Sequence, residues 1–257
     1  MEEVIRFENA GKTFFIEKGR TKRVLENISF SVVKGERLGI VGESGCGKTT
    51  LARILTCLDT ATEGKVIVEG QDTSVLKGEA LRNFRKKVQM IFQDPSSVFS
   101  PRMKIGHFLM EPWVNFEKIR RKSAVKKALE ALSSVGLEGT YFNRYPHELS
   151  GGELQRVCIA RAVAVSPSIL VCDEATSALD VSIQKKILTL LSECQKKADF
   201  TNILITHDLA LAEHFCDRVV VMRSGKLVEI LEARHLKRNA KEEYTRKLLD
   251  SVYSLKK

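Results

Sequence analysis

One eight-residue segment constrains the fold of this chain more than any other. Residues 42–49 are Gly-Glu-Ser-Gly-Cys-Gly-Lys-Thr, a glycine, four residues and then Gly-Lys-Thr, which is the pattern of a phosphate-binding loop. The apolar run Leu38–Val41 precedes it, and Leu51, Ile54 and Leu55 follow at helical spacing. Strand, loop and helix in direct succession are the context that such a loop requires, so the segment predicts an α/β nucleotide-binding core.

The residue types of this loop predict a specific set of contacts. Its glycines let the backbone curl so that N–H groups point inward, Lys48 offers a charge to the β- and γ-phosphates, and Thr49 offers a hydroxyl to Mg²⁺. A chance glycine-rich turn is the competing explanation, and the strand and helix on either side argue against it. The predicted nucleotide contacts here are Gly42, Glu43, Ser44, Gly45, Cys46, Gly47, Lys48, Thr49 and Thr50.

A second apolar strand, Ile169–Cys172, ends in the two carboxylates Asp173 and Glu174. A carboxylate at the end of a strand holds the hydrated Mg²⁺ in phosphate-loop enzymes, which is the role predicted for Asp173. Glu174 is then placed to take the proton of the attacking water. The alternative is a surface pair that merely ends a buried strand.

A different anion-binding pattern lies about a hundred residues beyond the loop, at Ser150-Gly151-Gly152-Glu153. Serine followed three residues later by glutamate is a capping box, which alone explains Ser150 and Glu153. Capping does not require two glycines in a first helical turn, where each weakens the helix by about 1 kcal/mol. Close approach of the backbone to a ligand does require them. We therefore predict that Ser150, Gly151 and Gly152 contact phosphate, and two cradles of different design indicate an ATPase that works as a dimer.

Two polar residues follow further apolar strands. Gln93 comes after Val88–Phe92, where it is predicted to reach Mg²⁺ or the attacking water, although a glutamine at a strand end is usually only solvated. His207 comes after Ile203–Ile205. A lone histidine is more often structural, but the carboxyl ends of strands border the crevice where such sheets bind ligands, so we predict a catalytic role.

The order of strand and helix patterns predicts a phosphate-loop ATPase core with an inserted helical subdomain. The core is expected at 1–92 and 167–235, with a mostly parallel sheet flanked by helices and an N-terminal antiparallel part. Helical patterns dominate 93–166, which includes the second anion-binding pattern, and a short tail covers 236–257.

Composition limits the remaining classes. The net charge is +10, and its basic clusters are explained by solvated helix faces or by a surface that meets anionic lipid. The basic clusters are not accompanied by a recognisable nucleic-acid-binding motif, so nucleic acid is not expected as a partner. The six cysteines lack metal-ligand or disulfide spacing. No apolar run approaches the roughly 18 residues of a membrane span, and the acidic Met-Glu-Glu-Val start does not resemble a signal peptide, so we expect a cytosolic protein or one attached to a membrane.

In combination these motifs resemble the ATP-binding subunit of ABC transporters over nearly the whole chain. The resemblance implies ATP and Mg²⁺ as cofactors, with Gln93 in the Q-loop, Leu149–Glu153 as the signature, and His207 as the switch histidine. It also places Ser177–Asp180 in the D-loop, where Asp180 is a nucleotide contact, and Phe14 where an aromatic residue, often tyrosine in the family, stacks on adenine.

Within the family the chain is most similar to the peptide and nickel importer branch. The strings that carry this likeness are Met90–Pro95, Arg144–Gly152, Gln155–Arg161 and Tyr244–Leu249. The branch implies transport of nickel, metal chelates or short peptides, and the short tail favours the metal members. It also implies a second ATP-binding subunit that is a related but different chain, two polytopic membrane permease subunits contacted through 94–113, and an indirect solute-binding protein. The location implied is peripheral, on the cytoplasmic face of the cell (inner) membrane.

Two other interpretations remain. A soluble ABC ATPase acting on ribosomes or nucleic acid usually has two cassettes or a long coiled coil, neither of which is present. A non-catalytic regulatory subunit is expected to lack Glu174 or His207, and both are present.

Overall fold

The computed structural model describes residues 2–16, 19–175 and 180–254. Within them the chain forms two compact units, one of residues 1–85 and 201–257 and the other of residues 86–200. The predicted functional boundaries at 92/93, 166/167 and 235/236 stay a prediction, because the two units describe compactness rather than function.

The first unit opens with an antiparallel sheet, which is the N-terminal antiparallel part expected from the sequence. Its strand order is β2-β1-β4-β5. The long strands β1 and β2 pair from Glu3 opposite Val33 to Phe15 opposite Thr21, with several irregularities of register. The strands are β1 (Glu3–Phe15), β2 (Thr21–Val33), β4 (Glu63–Val68) and β5 (Gln71–Asp72).

Four further strands of this unit lie side by side in the order β10-β9-β3-β8. Strand β3 pairs in parallel with both β8 and β9, and β10 returns antiparallel to β9. Nearly every residue of the three parallel strands is buried, the continuous apolar type expected where both faces of a sheet are covered. The strands are β3 (Arg37–Val41), β8 (Thr201–Thr206), β9 (Arg218–Arg223) and β10 (Lys226–Glu232).

Helices accompany these strands. Leu51, Ala52, Ile54 and Leu55 form the buried face of the helix after the loop. The helices are α1 (Lys48–Leu55), α2 (Gly78–Lys87), α7 (Leu209–Phe215), α8 (Leu236–Asn239) and α9 (Glu243–Ser254). Leu58 continues the helical spacing of Leu51, Ile54 and Leu55, which predicts a longer first helix. Cys57 adopts a left-handed backbone (φ 53°), however, and this ends the helix.

The second unit contains two parallel strands and a set of helices. Strand β6 pairs with β7 from Val88 opposite Ile169 to Ile91 opposite Cys172. A π-helical turn at Trp113–Glu117 follows Pro112. The elements are β6 (Val88–Ile91), α3 (Ile105–Pro112), α4 (Arg121–Ser134), α5 (Gly151–Val163), β7 (Ile169–Asp173) and α6 (Val181–Ala198).

The mixture of an antiparallel part, parallel strands and helices confirms the predicted fold class. Over the three described stretches, no helix combines the length and the apolar character that crossing a bilayer requires.

Candidate functional site

Two glycines of the predicted phosphate loop lie where any side chain would collide with the protein. A Cβ added to Gly42 would lie 2.2 Å from the carbonyl oxygen of Met222. At Gly47 the backbone is left-handed (φ 108°), and a Cβ would lie 2.7 Å from Leu25 Cδ2. The loop therefore takes a tight path against β2 and β9 that only glycine permits at these positions.

Lys48 is held inside this loop. The residue is 4% exposed, and its ammonium donates hydrogen bonds to the carbonyl oxygens of Gly42 at 2.8 Å and Glu43 at 2.9 Å. Among the described residues no carboxylate forms an ion pair with it. A buried cation that is bound only by neutral acceptors is suited to an anionic ligand.

The loop and His207 follow neighbouring strands. Val41, the last residue of β3, pairs in parallel with Thr206, the last residue of β8. Gly42 and His207, the next residue after each strand, therefore lie side by side at the carboxyl edge of the sheet. Asp208 fixes the chain just beyond, because its side chain accepts from Ala210 N–H and Leu211 N–H at the start of α7. His207 itself is exposed.

Phe14 lies near the end of β1, opposite Lys22 of β2. Two pairs earlier in the same ladder, Lys12 faces Leu25, whose side chain occupies the space beside Gly47. The strand that carries Phe14 is thus joined through β2 to the phosphate loop.

In the second unit, Gln93 and Glu174 are in direct contact. Gln93 Nε2 donates to Glu174 Oε2 at 2.8 Å. Each residue lies two positions beyond a paired strand residue, Ile91 on β6 and Cys172 on β7, which brings them together. Glu174 has a left-handed backbone (φ 45°), an uncommon conformation for a residue with a side chain. Asp173, the last residue of β7, is 3% exposed.

The signature region forms the predicted capping box. Ser150 precedes α5, its side chain accepts from Glu153 N–H at 3.4 Å, and Glu153 Oε2 accepts from Ser150 N–H at 2.7 Å. Tyr141 Oη donates to the other carboxylate oxygen. That bond, with those from Ser150, outweighs partial burial and lowers the pKa of Glu153. Ser150 and Gly151 are exposed, so a partner molecule can reach this helix start.

Gly152 has a packing reason that sequence reasoning missed. A Cβ at this position would lie 3.1 Å from Ile183 Cγ2 on α6. The glycine therefore lets α5 and α6 approach closely, besides any role toward a ligand.

The D-loop prediction falls mostly outside the described residues, which omit Ser177, Ala178 and Leu179. Asp180 is described and exposed. It precedes α6, and its side chain makes no capping hydrogen bond there.

The turn after β9 is a second feature that motif reasoning missed. Gly225 N–H donates to the carbonyl oxygen of Cys46 at 2.9 Å, and Gly225 itself lies against Val24 O. The Arg223 guanidinium lies 4.7 Å from the ring centroid of Tyr244, which links α9 to the same turn. The sequence signals were the Ser-Gly pair at 224–225 and the tyrosine of the C-terminal string, but nothing in them indicated contact with the loop.

These residues fit a bound triphosphate. The glycine-built path of the loop, the ammonium held by loop carbonyls and the start of α1 at Lys48 supply positive groups at one place. Thr49 of the first unit has a hydroxyl and Asp173 of the second has a carboxylate, and both are oxygen groups of the kind that Mg²⁺ prefers.

Comparison with known proteins identifies the family of this chain. The family model described as ABC transporter matches residues 25–177. The glutathione import ATP-binding protein GsiA of Pectobacterium atrosepticum is 42% identical over 98% of this chain, which spans only 41% of that protein. The oligopeptide transport ATP-binding protein AppF of Bacillus subtilis is 41% identical over 98% of this chain and 78% of its own length. The probable peptide ABC transporter ATP-binding protein y4tS of Sinorhizobium fredii is 45% identical over 89% of this chain and 67% of its own length.

Solved structures give the same result. The ATP-binding cassette MJ0796, in a dimeric post-hydrolysis state bound to ADP and Pi, superposes with a TM-score of 0.81 at 31% identity over 90% of this chain and 99% of that one. CbiO1 of Clostridium perfringens, at 24% identity and a TM-score of 0.81 over 99% of this chain and 96% of that one, has the same fold. The chain belongs to the ABC transporter family, and it is an ATP-binding cassette with the ATPase fold.

Proposed function

We propose that this chain hydrolyses ATP to power uptake of short peptides or peptide-like solutes by a membrane importer. The observation that carries the ATPase assignment is the Gln93–Glu174 hydrogen bond, which holds a carboxylate and an amide at the end of β6 and β7. Relatives at 41–45% identity named for import of glutathione or transport of peptides support the importer assignment. They favour peptides over nickel or metal chelates and do not favour an action on ribosomes or nucleic acid.

In the proposed mechanism the residues divide between binding the phosphates, activating the water and holding Mg²⁺, and Gln93 takes part in the last two. Lys48 leaves its loop carbonyls to bind the β- and γ-phosphates, and the loop N–H groups orient them. Glu174 accepts the proton of the attacking water, Gln93 orients that water, and His207 stabilises the γ-phosphate as the bond breaks. Thr49, Asp173 and Gln93 would hold Mg²⁺, which when bound neutralises phosphate charge.

The second anion-binding pattern, Ser150-Gly151-Gly152-Glu153, completes the nucleotide site of a partner cassette. Ser150 and Gly152 of one copy cover the nucleotide held by the loop of the other, and Asp180 lies beside it. The exposure of Ser150 and Gly151 supports this arrangement, as does the dimeric state of the MJ0796 cassette. In the working importer we propose that the partner cassette is a related but different chain.

The segment 94–113 is the proposed contact with a membrane permease subunit. A cavity of about 40 Å³ in the second unit is bordered by Pro95, Val98 and Phe108 of this segment and by Phe92 just before it. Arg161 also borders it and pairs with Glu111 at 2.9 Å. A short helix of the permease would contact this surface. The chain would then lie peripherally on the cytoplasmic face of the membrane. A solute-binding protein would be only an indirect partner.

The catalytic assignment is tested by the Glu174→Gln variant. We expect it to bind MgATP with near-parental affinity, to lose nearly all turnover and to dimerise with nucleotide. Glu130→Gln, the same chemical change on the exposed face of α4, is the matched control and should behave like the parent. Hydrolysis by Glu174→Gln at close to the parental rate would show that the base is misassigned.

The loop and transport assignments need separate tests. Lys48→Met should lose ATP affinity, and unchanged affinity would contradict the loop assignment. Co-purification with two permease subunits, followed by ATP-dependent uptake of dipeptides, oligopeptides, glutathione and nickel chelates, tests the importer. Uptake of nickel chelates alone would overturn the peptide assignment.

A further inference from the structure

Lys12 is a buried cation in the middle of β1. The residue is 7% exposed, its ammonium donates to Thr60 O at 2.7 Å, and it forms an ion pair with the Asp59 carboxylate. A buried ammonium is costly unless such partners satisfy it. The pair with Asp59 and Thr60 therefore fixes where this charge lies.

The same ammonium lies over an aromatic ring. Lys12 Nζ is 4.8 Å from the ring centroid of Phe14, within the distance of a cation–π interaction. Residues 12 and 14 share one face of the strand, which accounts for the contact. Phe14 is 37% exposed, whereas Lys12 is buried, so the cation covers the ring from the protein side and leaves ring surface accessible.

A cation against one face of a phenyl ring draws π density toward itself. The accessible face then becomes a better surface for an electron-rich nucleobase, which stacks by dispersion and by complementary charge distribution. The cation also holds the ring in one orientation, which lowers the entropy cost of stacking.

We propose that Lys12 is a positioning residue for the nucleotide base, fixing the Phe14 ring from behind and making it a better stacking surface for adenine. This inference rests on the proposed function, ATP binding, and on the stacking of Phe14 against adenine that the family resemblance implies. The ladder supports the location, because Lys12 pairs with Leu25, the residue that borders Gly47 of the phosphate loop.

The test compares two ligands on the intact chain. MgATP has a base, whereas Mg-tripolyphosphate has only the phosphates, so a residue that acts through the base affects the first and not the second. Calorimetry would measure both dissociation constants for Asp59→Asn and for Lys12→Met combined with Asp59→Asn. The single variant is the control, because it keeps the cation and leaves Thr60 O and the new amide oxygen at position 59 to accept from it. The double variant leaves no buried unpaired carboxylate.

We expect the double variant to bind MgATP about threefold to tenfold more weakly than Asp59→Asn, with tripolyphosphate affinity unchanged. Lys12→Arg in the Asp59→Asn background should bind MgATP as tightly as Asp59→Asn alone, since arginine keeps the cation. If the Met variant does not fold, Lys12→Gln replaces it, because its amide can still donate to Thr60 O. Equal weakening for both ligands would overturn the inference.

Phe14→Leu separates this inference from the assignment beneath it. We expect Phe14→Leu to weaken MgATP selectively and to abolish any further effect of Lys12→Met. If Phe14→Leu leaves MgATP binding unchanged, the assignment of Phe14 has failed. If Phe14→Leu weakens MgATP binding but the Lys12 variants do not, the role of Lys12 alone is wrong.

Discussion

Gln93 Nε2 donates a 2.8 Å hydrogen bond to Glu174 Oε2. The amide leads directly into the segment proposed to meet a membrane subunit, and the carboxylate is the proposed general base. The left-handed backbone of Glu174 turns it toward this partner at the end of β7. A displacement of the 94–113 segment would therefore change the position of the base through one bond.

The Gln93→Met variant tests this bond, because methionine keeps the length of glutamine and removes the amide. We expect kcat to fall about tenfold, which matches the loss of one hydrogen bond to a charged group. The KM for ATP should rise by a smaller factor than kcat falls, since Thr49 and Asp173 would still hold Mg²⁺ after the Gln93 amide is removed. Steady-state hydrolysis measures both constants, and Gln71→Met on the exposed strand β5 is the control. An unchanged kcat would contradict the role given to Gln93.

Ser150→Asp distinguishes helix capping from phosphate contact. Aspartate caps helices as well as serine does, but it removes the hydroxyl that donates to Glu153 Oε2 at 2.8 Å, so we expect a loss of no more than about 1–2 kcal/mol in urea unfolding. The new carboxylate at position 150 would repel the negatively charged γ-phosphate, so we expect turnover to fall at least about a hundredfold. Ser150→Thr, a weaker but neutral cap, should retain much more activity. Parental turnover by Ser150→Asp would leave capping as the only role of this residue.

Gly106→Ala should destabilise the second unit by overpacking. A Cβ on Gly106 of α3 would lie 2.5 Å from the Phe142 ring, so the ring must move. We expect a loss of about 1–3 kcal/mol in the free energy of unfolding. Gly139→Ala is the matched control, because its Cβ would meet Leu129 at an ordinary 3.4 Å. Equal stability of both variants in urea would show that the ring yields without cost.

Arg218 and Glu36 form an ion pair in the first unit, in which the Glu36 side chain is buried and the Arg218 side chain is partly exposed. Substitutions of this pair test how much it stabilises the unit. Arg218 Nε lies 2.6 Å from Glu36 Oε1, and Arg218 Nη2 donates to Ser31 O at 2.7 Å. Arg218→Ala leaves the buried Glu36 carboxylate without this partner and should cost about 3 kcal/mol. Adding Glu36→Met should recover part of that loss, as measured by urea unfolding. No recovery in the double variant would mean that packing of the Arg218 stem, rather than the charge, is responsible.

Asp59 predicts a pH dependence of stability. Burial raises its pKa, but the Lys12 hydrogen bond and the Thr60 N–H outweigh burial, so the pKa is lowered from 3.8. A lowered pKa in the folded state means that the stabilisation is complete above pH 3.8 and is lost as the pH falls through the folded-state pKa. Asp59→Asn should therefore be less stable than the parent at pH 6, and the difference should shrink below pH 3.8. A difference that stays constant down to acid unfolding would rule out this linkage.

The sequence predicted the elements that local patterns encode. The apolar runs located β3, β7 and β8, since buried strands need continuous apolar residues. The capping box around Ser150 and Glu153 was also predicted, because it involves residues three positions apart. Helix α2 has no such local signal, since its single buried residue, Phe84, leaves almost no apolar period.

The sequence by itself determined the phosphate loop, the residues at the strand ends and the family, because each depends on residues close together in the chain. Only the tertiary structure decided that Gln93 binds Glu174, that Gly152 makes room for Ile183, and that Lys12 lies over Phe14 and pairs with Asp59. The contacts of Gln93, of Gly152 and of Lys12 with Asp59 join residues 31 to 81 positions apart. Lys12 and Phe14 share one face of β1, and the pair with Asp59 holds the ammonium over the ring. Strand register and helix packing set such distances, and no local pattern of residue types specifies them.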